Sequence, residues 1–144
     1  MLGESSLAHF IQNTGYPYAK ALHIMGASVL FGGVVLLDLC VLGRCVNISL
    51  SNIRQLTLPL IGIGFILAII GGVLLFLAQP LALFENNAVR IKLGLMVLAG
   101  VNALVFEYCY LKNQSGAIQK SLAIFSLMLW IGVFIFASLI PYWG

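Results

Sequence analysis

Four long apolar runs, at 19–42, 56–77, 90–111 and 120–140, decide what this chain can become. Each is long enough to cross the hydrocarbon core of a bilayer, which takes ~20 helical residues. The charge content leaves no alternative. Only 8% of the 144 residues are charged, against about 25% in a soluble domain, too few to clothe a water-facing surface. The connections are short, which favours antiparallel neighbours. The expected architecture is all-α: an integral membrane antiparallel four-helix bundle, a single transmembrane domain over 1–144, preceded by a short N-terminal interfacial helix.

That first helix is expected to be capped by Ser5 or Ser6, to carry Leu7, Phe10 and Ile11 on one side, and to end at Gly15 and Pro17. Tyr16 and Tyr18 suit the headgroup level. In the first span, His23, Gly26, Leu30, Gly33 and Leu37 are spaced 3, 4, 3 and 4, which aligns them along one stripe. Small residues on such a stripe let another backbone approach, so His23 is expected to face helices. Pro59 is expected in the first turn of the second span, where its missing N–H costs little. Gly62, Gly64, Gly71 and Gly72 of that span, and the Ala99/Ala103 pair of the third, predict further close contacts. The triplet Asn47-Ile48-Ser49 is a glycosylation sequon of a kind common by chance. Cys40, Cys45 and Cys109 form no CxxC pair, and read as small apolar fillers near helix ends.

Arg44, Arg54, Lys112 and Lys120 fall on the side of the first and third connections, whereas Lys20, Arg90 and Lys92 fall on the other, offset by Glu4 and Glu85. By the positive-inside rule this count puts both termini outside the cytoplasm.

The ionisable and polar residues inside the spans are the functional candidates. The outer group is Lys20, His23, Arg90 and Lys92, with Glu85 close. The inner group is Asp38, Glu107, Arg44, Arg54 and Lys112. A charged Asp38 costs a few kcal/mol unless paired, and Arg54 or Lys112 from a neighbouring loop is its expected partner. The pairing reads as a structural tie or as part of a proton or cation relay with Glu107. Lys92 reads as a snorkelling residue at the outer rim. Asn102, mid-span, reads as interhelical glue worth about 1 kcal/mol. His23 is open to three roles: an interhelical hydrogen bond, a haem or copper ligand, or a proton carrier. The other histidine, His9, is separated from it by Gly15 and Pro17, so a bis-histidine haem within the four spans requires His9 to fold back. Met25 and Met96 are possible soft ligands.

No Ser-His-Asp set, HExxH or phosphate-cradling GxxxxGK[ST] occurs. The chain does not read as an enzyme on its own, and no basic cluster points to nucleic acid.

The pattern Tyr18-x4-His23-x2-Gly26, then Gly32-Gly33 and Asp38-Leu39-x2-Leu42-Gly43, resembles the first helix of an uncharacterised family of small bacterial four-helix membrane proteins. The stretches 72–78 and Arg90-Ile-Lys92-Leu-Gly-Leu-x3-Ala-Gly-x-Asn102 resemble it too. A looser similarity links the chain to copper-resistance D-like membrane proteins. Cys40 departs from the pattern, which has arginine after Asp-Leu. The resemblance implies a bacterial inner-membrane location and no reaction, and it singles out His23, Asp38, Lys92 and Asn102.

Two classes of function follow. One is a membrane redox or metal-handling module, with haem b or copper near His23, acting as a subunit or with a partner. The other is a non-redox transport or assembly protein that forms oligomers or packs on a partner membrane subunit within the lipid bilayer.

Overall fold

The computed structural model describes residues 6–143, apart from the side chains of Leu7, Ala8 and Ile11. The expectations on Glu4, Ser5 and those side chains lie outside the described residues. The chain is all-helical: α1 (Ser6–Phe10), a π-helical turn (Ile11–Gly15), α2 (Tyr16–Val41), α3 (Leu50–Ala78), α4 (Pro80–Glu85), α5 (Asn87–Leu111) and α6 (Gly116–Leu139). Four segments are long and apolar enough to span a membrane: Gln12–Val41, Leu50–Ala78, Asn87–Leu111 and Gly116–Leu139. The chain is thus an integral membrane protein with four candidate spans, and most of the exposed surface of these helices is Leu, Ile, Val and Phe, the surface that lipid covers.

Boundaries differ from expectation at two places. The N-terminal helix does not stop at Gly15 and Pro17 but runs through a π-turn into α2. Proline has no N–H to donate and crowds the carbonyl of the preceding turn. The wider π-turn sits just ahead of Pro17, where a regular α-turn would meet that conflict. The second span starts at Leu50, so Pro59 is interior to α3 rather than in its first turn.

The helices pack as two compact units. One takes in the chain through Val34 together with Gln55–Glu85; the other takes in Val35–Arg54 and the chain from Asn86 onward. In the first unit, α2 and α3 run antiparallel at backbone contact. Gly26 lies against Ala68 and Gly64, and a Cβ at Gly64 would stand 2.5 Å from the Leu30 nitrogen. Of the predicted stripe, Gly26, Leu30 and Gly33 are buried in this unit and His23 is half-buried, while Leu37, also buried, belongs to the second unit. Gly32 and Gly62 meet nothing and face outward. Gln12 donates to the Ala78 carbonyl, tying the π-turn to the end of α3.

In the second unit α5 and α6 form an antiparallel hairpin. Asn86 caps α5 by accepting from the Ala88 and Val89 amides at 2.9 and 3.2 Å, and donates to the Ile140 carbonyl at 2.8 Å. Its single side chain therefore holds the start of α5 to the end of α6. At the other end α5 closes in a Schellman turn: Gln114 N–H donates to Cys109 O and Asn113 N–H to Tyr110 O, with Asn113 left-handed at φ 51°. Of the small pair on α5, Ala99 is buried and Ala103 exposed. Val41 (α2), Phe106 (α5) and Ala123 (α6) form the buried apolar layer of this unit, with Leu42, Leu50, Tyr110 and Leu122 against it.

Candidate functional site

α2 ends in the same way as α5. Arg44 N–H donates to Leu39 O and Gly43 N–H to Cys40 O, both at 3.0 Å, with Gly43 at φ +86°. This reversal folds the chain back on its own last turn. It brings Cys40 and Cys45 to a Cα–Cα separation of 4.7 Å, and the two are joined by a disulfide. The filler reading is corrected for these two cysteines: the four-residue gap carries no motif, and the pairing is made by the left-handed glycine between them. Cys109 is a free thiol.

The inner polar group assembles differently from expectation. Arg54 is bound to Glu107, not to Asp38. Its guanidinium also lies over the Tyr110 ring, 4.1 Å from the centroid, a cation–π contact. Arg54 comes from the first turns of α3, and Glu107 and Tyr110 come from adjacent turns of α5, so this base is committed to α5. Asp38, 7% exposed, lies beside Ser126 of α6, itself 8% exposed. Ser126 is the residue that sequence reasoning passed over. Its signal was present in the sequence as one of three serines in an otherwise bland span, but nothing distinguished it from Ser121 and Ser138. Those two satisfy themselves on their own helix, donating to Ala117 O and Ile135 O.

Asn102, 6% exposed, donates from Nδ2 to the Leu122 carbonyl at 3.1 Å. It is interhelical in the sense expected of it. Asp38, Asn102 and Ser126 precede or follow Val41, Phe106 and Ala123 by three or four residues, each in the direction away from the connections. The three polar side chains therefore occupy one level, about 5 Å deeper than the apolar layer. Asp38 Oδ2 and Arg54 Nε are the buried side-chain polar atoms without a hydrogen-bond partner among the described residues.

The outer group divides. Lys20, His23 and Glu85 belong to the first unit, Arg90 and Lys92 to the second. Lys92 is half-buried and Arg90 exposed. His23 does face a helix: its Nδ1 lies 2.7 Å from the Ala68 carbonyl. A carbonyl only accepts, so Nδ1 carries the proton. Gly71 and Gly72 let α3 close over the residue; a Cβ at Gly72 would stand 3.3 Å from Nδ1. Among the described residues no group of three or more His, Cys, Asp or Glu side chains is gathered in one place.

Compared with known protein families, curated proteins and solved structures, the chain matches none.

Proposed function

We propose that this chain is a non-redox membrane transport module of a bacterial inner membrane, acting as an oligomer or beside a partner membrane subunit. The observation that carries the reading is the state of Asp38. Of the two bases expected to neutralise it, Arg54 is held by Glu107 and Lys112 is exposed, so a carboxyl stays within a candidate span beside a serine. Ionisable groups at such positions are expensive and mark ion paths by default. The test is cation flux in proteoliposomes. Wild-type protein is expected to carry flux that Asp38→Asn removes and that Glu85→Gln, in α4, leaves intact. Wild-type vesicles no leakier than empty ones overturn the transport reading.

One observation favours the redox alternative. When neutral, an imidazole with Nδ1–H on a carbonyl carries its lone pair on Nε2, the tautomer found in metal-ligating histidines. The neighbours of His23 along α3 are Ala68, Gly71 and Gly72, whose side chains supply no ligand. A haem or copper centre there would draw its other ligands from elsewhere. An optical spectrum and metal analysis of purified protein decide between the two readings.

The disulfide supports an orientation opposite to that of the charge count. Disulfides persist in oxidising compartments, which favours placing the connection that carries Cys40 and Cys45 outside the cytoplasm and both termini inside. The charge argument against this is slight. With Arg54 drawn into the helix contact, Arg44, Lys112 and Lys120 at one end stand against Lys20, Arg90 and Lys92 at the other.

A further inference from the structure

The Asp38 carboxyl poses a problem that protonation alone does not solve. An ionised carboxylate in an apolar span with an unmatched oxygen carries a large desolvation cost. A neutral carboxyl removes the charge, yet among the described residues Oδ2 has no partner in either role: no donor reaches it when it accepts, and no acceptor when it donates. The Ser126 hydroxyl lies beside the carboxyl but makes no hydrogen bond to Oδ2. Asn102, at the same level, has its amide nitrogen committed to Leu122 O, which turns the chemistry of its other end, the amide oxygen, to accepting.

A second unmatched atom lies in the same unit. Arg54 Nε is a buried donor without an acceptor. A buried donor and a buried acceptor both left over within one packed unit point to small polar guests in the interior, since protein groups at such positions are satisfied by ordered water when protein does not reach them. Of the charged groups on α3 and α5, Arg54 and Glu107 are bound to each other, and Arg90 and Lys92 stand in the first turns of α5, ten or more residues before Asn102. α6 brings the neutral Ser126 to this level, and its Lys120 is exposed six residues earlier. On its own helix the next polar group, Cys40, is oxidised. Among the described residues no base is paired with Asp38, which leaves its neutralisation to a mobile charge.

We propose that Asp38, with Ser126 and Asn102 at its level, is a membrane-embedded site that binds and releases a monovalent cation, a proton or a sodium ion, with bound water. The polar side chains at this level offer oxygen donors: carboxylate, hydroxyl and amide carbonyl. That set suits hard monovalent cations and offers nothing to soft metals. The site names the cargo class of the transport reading and rests on that reading for its role, but its occupancy is tested separately.

The test is labelling of the full-length protein by dicyclohexylcarbodiimide, which modifies protonated carboxyls in apolar surroundings, read residue by residue by mass spectrometry. Asp38 is expected to be modified, with labelling falling about tenfold per pH unit above its midpoint. Asp38→Glu is expected to keep the labelling at that position, and Ser126→Ala to shift its pH midpoint. Suppression by sodium chloride but not choline chloride at fixed pH identifies sodium as a ligand; dependence on pH alone identifies the proton. Asp38 that stays unmodified at every pH, or is modified to the same extent at every pH and in both salts, overturns the site. Labelling with the expected dependence but no flux in vesicles leaves the site standing and removes the transport reading. Flux that survives Asp38→Asn with labelling as expected shows a site that is not on the path, and overturns the link between the two.

Discussion

Arg54 reaches Glu107 and not Asp38, although both carboxylates lie within the same packed unit. The choice is set by register. α3 enters four residues before Arg54, at Leu50, beside Tyr110, and Glu107 is one turn from Tyr110 on α5. Asp38 sits on the deeper side of Val41, with the apolar layer of Val41, Phe106 and Ala123 on the Arg54 side of it. The consequence is one satisfied ion pair and one carboxyl without a base.

Breaking the pair should cost stability, and removing both partners should cost less. The side chains are 15% and 31% exposed, which screens the interaction relative to a dry pair. Glu107→Gln is expected to lower stability by about 1–2 kcal/mol, and the double variant Arg54→Met/Glu107→Leu by less than the sum of the single ones. Unfolding curves in detergent across the double-mutant cycle measure this; strict additivity would show that the pair is not coupled.

The glycines of the first unit should separate cleanly by position. Gly26→Ala and Gly64→Ala put a methyl into backbone of the opposing helix and are expected to destabilise by about 1–3 kcal/mol. Gly32→Ala and Gly62→Ala meet open space and are expected to be neutral or stabilising by about 0.5–1 kcal/mol. Thermal midpoints of the four variants, compared side by side, check the ordering.

The stripe through Gly26 was legible because close helix contact in lipid needs small residues, and their spacing is printed in the sequence. So were the four spans and the burial of Asn102. The Asp38 environment was not. Sequence shows that Arg54 is a base near the right depth, but not that α3 begins six residues earlier than its apolar run and so brings Arg54 beside Tyr110. The Cys40–Cys45 bridge was hidden for a related reason: it depends on the sign of one φ angle, at Gly43, and not on a spacing rule.

His23 should behave as a helix fastening. His23→Ala loses the bond to Ala68 and leaves a gap over Gly71 and Gly72, with an expected loss of about 1 kcal/mol. A wild-type spectrum without a Soret band, unchanged by the substitution, agrees with this; a Soret band abolished in His23→Ala would establish the haem reading instead.

Asn86 is the joint of the hairpin. Asn86→Ala loses two cap bonds and the tie to Ile140, and is expected to cost about 1–2 kcal/mol. Asn86→Asp keeps the cap and loses the tie, so an intermediate loss separates the two contributions. Hydrogen exchange at the Ala88 and Val89 amides reports the cap directly.

Orientation is checked with one engineered thiol. Gln114, in the exposed turn before α6, becomes Gln114→Cys in a Cys109→Ser background. A membrane-impermeant maleimide added to intact spheroplasts is expected to label it without permeabilisation. Labelling only after the cells are opened would restore the orientation given by the charge count.

The extension of α2 back through the π-turn has a consequence for the lipid. Gln12–Val41 has 30 residues and Leu50–Ala78 has 29, against 25 and 24 for α5 and α6. At 1.5 Å per residue the first two are about 45 Å long, where the hydrocarbon core is about 30 Å thick. Helices of that length meet a mismatch that is relieved by tilting or by a locally thicker bilayer. The excess at the start of α3 is where Arg54 sits. Acyl-chain length thus becomes a variable of the Arg54–Glu107 pair: thick membranes draw it toward hydrocarbon and strengthen the attraction, and thin ones leave it among headgroups and water.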